Sequence, residues 1–182
     1  VSIPGSWKGI VNRLNDSPKH VREYFPYLPG LLKDYPLDVS ISYLFGMVEL
    51  AQNKSLYCGM VKLHSVDKDL ARKAVDLHPI FRSDFRQFYE TIFGKKPNET
   101  TFGKLKDAEA VRDLIVHGKH ASESNKRRAI VCIIEFAEGF NEDVNKIAGF
   151  QPFGDLRGFK GRGQPLDKST SRWILKGMGF KL

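Results

Sequence analysis

Cysteine is scarce in this 182-residue chain: only Cys58 and Cys132 are present, each within an apolar stretch of helical spacing and neither in a ligand pair. Two isolated thiols can build neither a disulfide framework nor a structural zinc site, so both are expected to be buried and free, which suits a reducing compartment. Long apolar runs are also missing. No stretch approaches the ~20 residues that cross a bilayer, and the opening Val1-Ser2-Ile3-Pro4-Gly5 lacks the charged-then-apolar pattern of a signal peptide. These absences lead to the expectation of a soluble, cytoplasmic protein with no membrane partner. The chain begins with Val1 rather than Met, which leaves open whether it is a fragment.

The signatures of common cofactor chemistry are missing too. There is no Gly-x-x-x-x-Gly-Lys-Ser/Thr loop and no His-Glu-x-x-His, and the clustered glycines near the C-terminus do not lead from a strand into a helix as a dinucleotide site requires. His20, His64 and His78 have no metal-ligand spacing, so a structural or solvated role is expected for each. Neither a metal nor another cofactor is anticipated. Nowhere does a two-residue alternation persist long enough to specify a strand.

What the chain does have is unevenly spread positive charge. Its formal charge is +8 and its pI about 9.5. Residues Phe150 to Leu182 hold seven Lys or Arg against Asp155 and Asp167, leaving the rest nearly balanced. A basic tail on a near-neutral body fits a polyanion partner, nucleic acid being the commonest, or else a solvated surface that aids solubility. The 41% hydrophobic content is enough for one sizeable core.

Helical periodicity organises most of the chain. Residues 1–36 carry Pro4, Gly5, Pro18, Pro26, Pro29, Gly30 and Pro36, leaving room for one short helix near Lys19 to Tyr24 in what reads as an arm. Asp38 or Ser40 then caps a helix running to about His64, with Ile41, Leu44, Phe45, Val48, Leu56, Met60 and Leu63 as its buried stripe. Further helices are expected from Lys68 to His78, where Pro79 breaks the chain; from Ser83 or Asp84 to Gly94; from about Gly103 to His117, with Leu105, Ala108, Val111, Leu114 and Ile115 inward; and from Ser122 or Ser124 to Ile147. Lys95 to Thr101 reads as a loop. The fold class expected is all-α: an antiparallel bundle of about five helices over residues 37–148, preceded by the 1–36 arm and followed by a basic, Gly-rich tail over 149–182.

In that tail Gly149, Gly154, Gly158, Gly161 and Gly163 alternate with Phe150, Phe153 and Phe159, which suggests an ordered loop packed on something. It ends in a short helix capped by Ser169 or Thr170, in which Trp173, Ile174 and Met178 are apolar; burial of Trp173 against the bundle or a second subunit is favoured over base stacking. The tail is expected to add RNA affinity through Arg157, Lys160 and Arg162 and to be removable after Ile147 without unfolding the bundle.

One segment carries chemistry. Val111-Arg112-Asp113-Leu114-Ile115-Val116-His117-Gly118 ends one helix just before another long one. Arg, an acidic residue, three further residues and His in this context resemble the signature of the HEPN superfamily, the higher eukaryote and prokaryote nucleotide-binding domains. The resemblance covers about Leu37 to Ile147. It implies a homodimer whose two motifs face each other, cutting RNA without metal in a toxin, phage-defence or processing role, with Arg112 and His117 catalytic and Asp113 the intervening polar position. It also implies an antitoxin or other regulatory protein as partner; members paired with nucleotidyltransferase antitoxins carry Tyr two residues after the His, where this chain has Lys119. A non-catalytic module binding RNA, a nucleotide or a protein is the alternative.

The residue types make independent sense of that chemistry. Attack by the RNA's own 2′-hydroxyl needs a base, an acid and positive charge for the phosphorane. Histidine can fill either proton role near neutrality, and arginine's planar fork can hold two phosphoryl oxygens. Asp113 lies one turn before His117 and can accept from its ring, whereas Arg112 and His117 are about 140° apart around the helix and can flank a groove. Gly118 stops the helix beside them, and Lys119, His120, Lys126, Arg127 and Arg128 offer phosphate contacts. The plainer reading is solvated charge, with Arg112 paired to Asp107, Glu109 or Asp113. Glu49 and Asn53 can line the same cleft or simply be a satisfied pair or an exposed face.

Overall fold

The computed structural model describes residues 3–77, 82–157, 159–161 and 163–182, and only the backbone of Arg82 and Ser83. Among the described residues there are nine α-helices and no strand: α1 (Trp7–Asn15), α2 (Lys19–Tyr24), α3 (Leu28–Asp34), α4 (Leu37–Leu63), α5 (Lys68–Leu77), α6 (Arg82–Phe93), α7 (Glu99–Val116), α8 (Glu123–Ala148) and α9 (Lys168–Gly177). The His78 end expected for α5, the Pro79 break, Gly158 and the candidate cation Arg162 lie outside the described residues. No described helix is long and apolar enough to cross a membrane.

The periodicity located α4 to α8 to within a few residues, and the caps of α5 and α8 follow from the sequence. Leu70 N–H donates to Asp67 Oδ1 at 3.1 Å at the start of α5, and Asn125 N–H to Ser122 Oγ at 3.2 Å at the start of α8. Three ends differ from expectation. Asp38 and Ser40 lie inside α4 rather than capping it. The segment expected as a loop to Thr101 already contains the first turn of α7, because Asn98 accepts from both Thr100 and Thr101 N–H. At α9 the cap is Asp167, not Ser169 or Thr170.

The largest correction concerns residues 1–36, which form three helices instead of one. Proline stands at helix starts here rather than breaking helices. Pro18 is the N-cap of α2 and Pro29 lies in the first turn of α3, where a missing N–H and a fixed φ cost nothing. Ser6 caps α1 by accepting from Gly9 N–H. Ile10, Leu14, Val21, Phe25, Leu28 and Leu32 are all buried, so the segment is part of a core and not an arm laid over one.

The chain divides into two compact units that interleave in sequence. The first comprises Val1–Leu50, Asn98–Asp143 and Phe153–Asp155. Its centre is an aromatic cluster: Phe136 and Phe140 stack at 5.4 Å, Phe102 meets both edge-on, and Phe153 packs on Phe136, Phe140, Tyr24 and Phe25. Phe153 is anchored at its backbone as well, since it donates to Asn141 Oδ1 at 2.8 Å while Asn141 Nδ2 donates back to its carbonyl at 2.9 Å. Arg13 on α1 grips Glu138 on α8 with both of its Nη atoms. At Gly139 an added Cβ would lie 2.8 Å from Thr101 Oγ1, so only glycine lets α8 come this close to α7.

The second unit comprises Ala51–Pro97, Val144–Pro152 and Leu156–Leu182. Phe85, Tyr89, Ile92 and Phe93 of α6 are buried in it, as are Leu56, Met60, Phe150 and Leu175. An αL turn at Gly179 ends α9, with Phe180 N–H donating to Leu175 O, and folds Phe180 back onto Phe88 at 4.6 Å. His64 is half-buried with Nε2 2.7 Å from Ile92 O, a structural role as expected. Cys58 and Cys132 are both free and buried, and burial pushes the Cys58 thiol up to about 12. The tail therefore contributes Phe153 to one core and Phe150, Leu175 and Phe180 to the other, which argues against the expectation that it can be cut away after Ile147.

Candidate functional site

The Arg112 to His117 segment forms the final turns of α7, in the first unit. The helix stops as the sequence predicts: His117 is the C-cap, Gly118 has φ +64°, and Lys119 N–H reaches Leu114 O at 2.8 Å while Gly118 N–H reaches Ile115 O at 3.0 Å. That pair of bonds is a Schellman closure, whose left-handed position glycine fills without strain. The expected inner face is covered only in part. Leu105 and Ala108 are buried, Val111, Leu114 and Ile115 are half-buried, and Val116 is 59% exposed.

Arg112 is held from two sides. Its Nη1 donates to Asp113 Oδ1 at 3.1 Å, and its guanidinium lies 5.8 Å from the centre of the Phe45 ring on α4. A guanidinium over an aromatic face loses little of its capacity to bond in its own plane. Nε and Nη2 make no hydrogen bond with another described residue, so part of the planar fork is available to a ligand. Phe45 was expected only as one residue of an apolar stripe; its support of Arg112 requires knowing that α4 passes beneath the end of α7.

His117 is exposed, and its ring forms no hydrogen bond with another described residue. The bond from His117 to Asp113 that their spacing allows is therefore not made here, and Asp113 meets Arg112 instead. Lys119 and His120 follow in the exposed turn. Among the described residues no group of three or more His, Cys, Asp or Glu side chains is placed to hold a metal ion.

The structure separates the remaining expected phosphate contacts. Lys126 is mostly covered and sits between Asp38 Oδ1 at 2.6 Å and Glu123 Oε1 at 3.3 Å. The adjoining Asp38 carboxylate is the main reason that its ammonium group is held above the usual lysine range, so its charge is already balanced. Arg127 is half-buried and donates from Nε to Pro4 O at 3.0 Å. Arg128 faces Asp107 at 3.4 Å with both side chains more than half exposed, a pairing that solvent weakens. Arg157 and Lys160 belong to the second unit, where both are exposed. Lys160 and Lys68 line a cavity of about 220 Å³ together with Val61, Ser65, Gly161 and Pro165. Glu49 is exposed and Asn53 half-buried.

Trp173 reverses its expectation within the chain. Ser171 and Leu175 form the buried face of α9, and Trp173 is 78% exposed. Helical period alone cannot tell which face of a short helix is covered; the hydrogen bond from Asp67 N–H to Ser171 Oγ, which ties α9 to the start of α5, settles it. In comparisons with known proteins, no family model, no curated protein and no solved structure matches this chain.

Proposed function

We propose that the end of α7 is an RNA-cleaving site of the HEPN type, with Arg112 gripping the scissile phosphate and His117 moving a proton. The observation that supports this reading best is the state of Arg112: a guanidinium supported by Phe45, oriented by Asp113 and still able to donate from Nε and Nη2, five residues from an exposed imidazole. The reaction is attack of the 2′-hydroxyl on the adjacent phosphorus with loss of the 5′-oxygen, leaving a cyclic phosphate. Such a reaction uses two proton transfers and a cationic clamp and needs no metal. A single motif supplies one histidine, so the reading requires a second copy of the chain to bring the other. The half-covered Val111, Leu114 and Ile115 and the exposed Val116 form an apolar rim at the motif that a second copy would bury. An antitoxin-like or other regulatory partner would act by covering the same rim.

Purified protein incubated with RNA in excess chelator is expected to generate cyclic-phosphate ends, and His117→Ala to lose this by about 10²–10⁴-fold. Arg112→Lys is expected to be similarly impaired, because an ammonium is a point charge without the fork. Mixing the two variants gives hybrid dimers with one intact His117 and one intact Arg112 on opposite subunits, and any recovered activity would show that the site is shared. Undiminished cleavage by His117→Ala would end this reading and favour a non-catalytic module that binds RNA, a nucleotide or a protein.

A further inference from the structure

We infer that the exposed face of α9 is a docking surface for single-stranded nucleic acid, on which Trp173 stacks a base and Lys168, Arg172 and Lys176 follow the phosphates. The three cations are spaced four residues apart and so form one line along the ten-residue helix. All three are exposed, and none forms an ion pair or hydrogen bond with another described residue. Trp173 stands beside this line, one residue from Arg172 and three from Lys176, with 78% of its surface in solvent. The only carboxylate at the helix, Asp167, is occupied at the cap by the Ser169 and Thr170 N–H groups and the Thr170 hydroxyl. An aromatic platform beside a basic track is how proteins hold single strands without reading sequence.

Charge complementarity decides among the possible occupants. A second copy of α9 would present the same three cations and be repelled. An anionic bilayer would satisfy the charges, but a helix that lies in a membrane interface offers it a whole apolar face. The apolar side of α9 is already used, with Leu175 fully buried and Ser171 bonded to Asp67. Of the other apolar side chains Ile174 and Met178 are half-buried and only Trp173 stands mainly in solvent, which suits one base better than an acyl layer. This surface shares its ligand class with the proposed cleavage but none of its residues, and binding can be measured with a strand that cannot be cut.

The chain has two tryptophans, so Trp7→Phe leaves Trp173 as the only indole reporter. In that background a 2′-O-methylated oligouridine, which has no 2′-hydroxyl to attack, is expected to quench Trp173 emission and to bind with strong salt dependence. On the labelled strand, Trp173→Ala should weaken binding by roughly five- to hundredfold while Trp173→Phe retains most of it. Replacing Arg172 and Lys176 by Gln should flatten the slope of log K against log salt by about 0.7 per lost cation. Oligothymidine should behave likewise, since stacking does not depend on the 2′ position. Two results overturn the proposal: unchanged binding in both sets of variants, or a blue shift of Trp173 on phosphatidylserine vesicles with no response to either strand.

Discussion

Asn141 shows how much a single buried polar side chain can carry. Its amide satisfies both the N–H and the C=O of Phe153, inside the aromatic cluster where water cannot replace it. Asn141→Ala would leave a donor and an acceptor unpaired, each costing about 1–3 kcal/mol. We expect urea unfolding with a clearly lower midpoint and an unchanged slope; a midpoint equal to that of the parent chain would show that the two groups find other partners. Nothing in the sequence marks Asn141, a polar residue within a long helix, because its partner is fixed by a loop twelve residues on. The same limit explains why Lys126 and Arg127 read as phosphate contacts. Residue type reports a charge, but Asp38 and the Pro4 carbonyl, which take up these two groups, come from distant parts of the chain. The place of Arg112, Asp113 and His117 at the end of α7 was legible because the Gly118 stop is local, whereas the bond from His117 to Asp113 that their spacing allows is not made.

Helix caps are where element-scale stability depends on pH. The Thr170 hydroxyl, together with the N–H groups of Thr170 and Ser169, holds the Asp167 carboxyl below its usual range. Because the folded value is the lower one, the cap's contribution is complete above the ordinary carboxylate pKa of about 3.9 and is lost as pH falls through the folded value. The Cα chemical shifts of Arg172 to Leu175 are therefore expected to move toward coil on acidification below about pH 4, whereas Asp167→Asn, capping through a neutral amide, should lack that step. An identical titration in Asp167→Asn would place the acid sensitivity elsewhere. Among the elements, α4 to α8 were legible because each repeats apolar residues at helical spacing over at least ten residues. Helices α1 and α3 were not, because each is shorter than that and is flanked by Pro or Gly, which mark a helix start as readily as a break. Trp173 is not buried against its own chain because α9 buries a serine and a leucine in preference to its largest apolar side chain.

At the scale of the whole chain, sequence order is a poor guide to what packs together. An arm, a bundle and a tail are the natural divisions of the composition, yet each of the two compact units draws on separated segments, and α4 and α8 each contribute to both. A residue's role in such a core is invisible until the partners are known: Phe153 sits in a glycine-rich stretch with every appearance of a loop, but it is fully buried among Phe136, Phe140, Tyr24 and Phe25. Replacing a buried Phe by Ala costs about 3–5 kcal/mol, against a total stability of about 5–15 kcal/mol for a typical domain. Phe153→Ala alone should thus lower the thermal midpoint by roughly 6–20 °C. Truncation after Ile147 removes Phe153, strands Asn141 and also takes Phe150, Leu175 and Phe180 from the other unit. We therefore expect the shortened chain to show no cooperative calorimetric transition, while a chain lacking only Lys181 and Leu182 should melt as the parent does. A sharp transition in the Ile147 truncation would mean that the aromatic cluster closes without Phe153 and that the tail serves affinity alone.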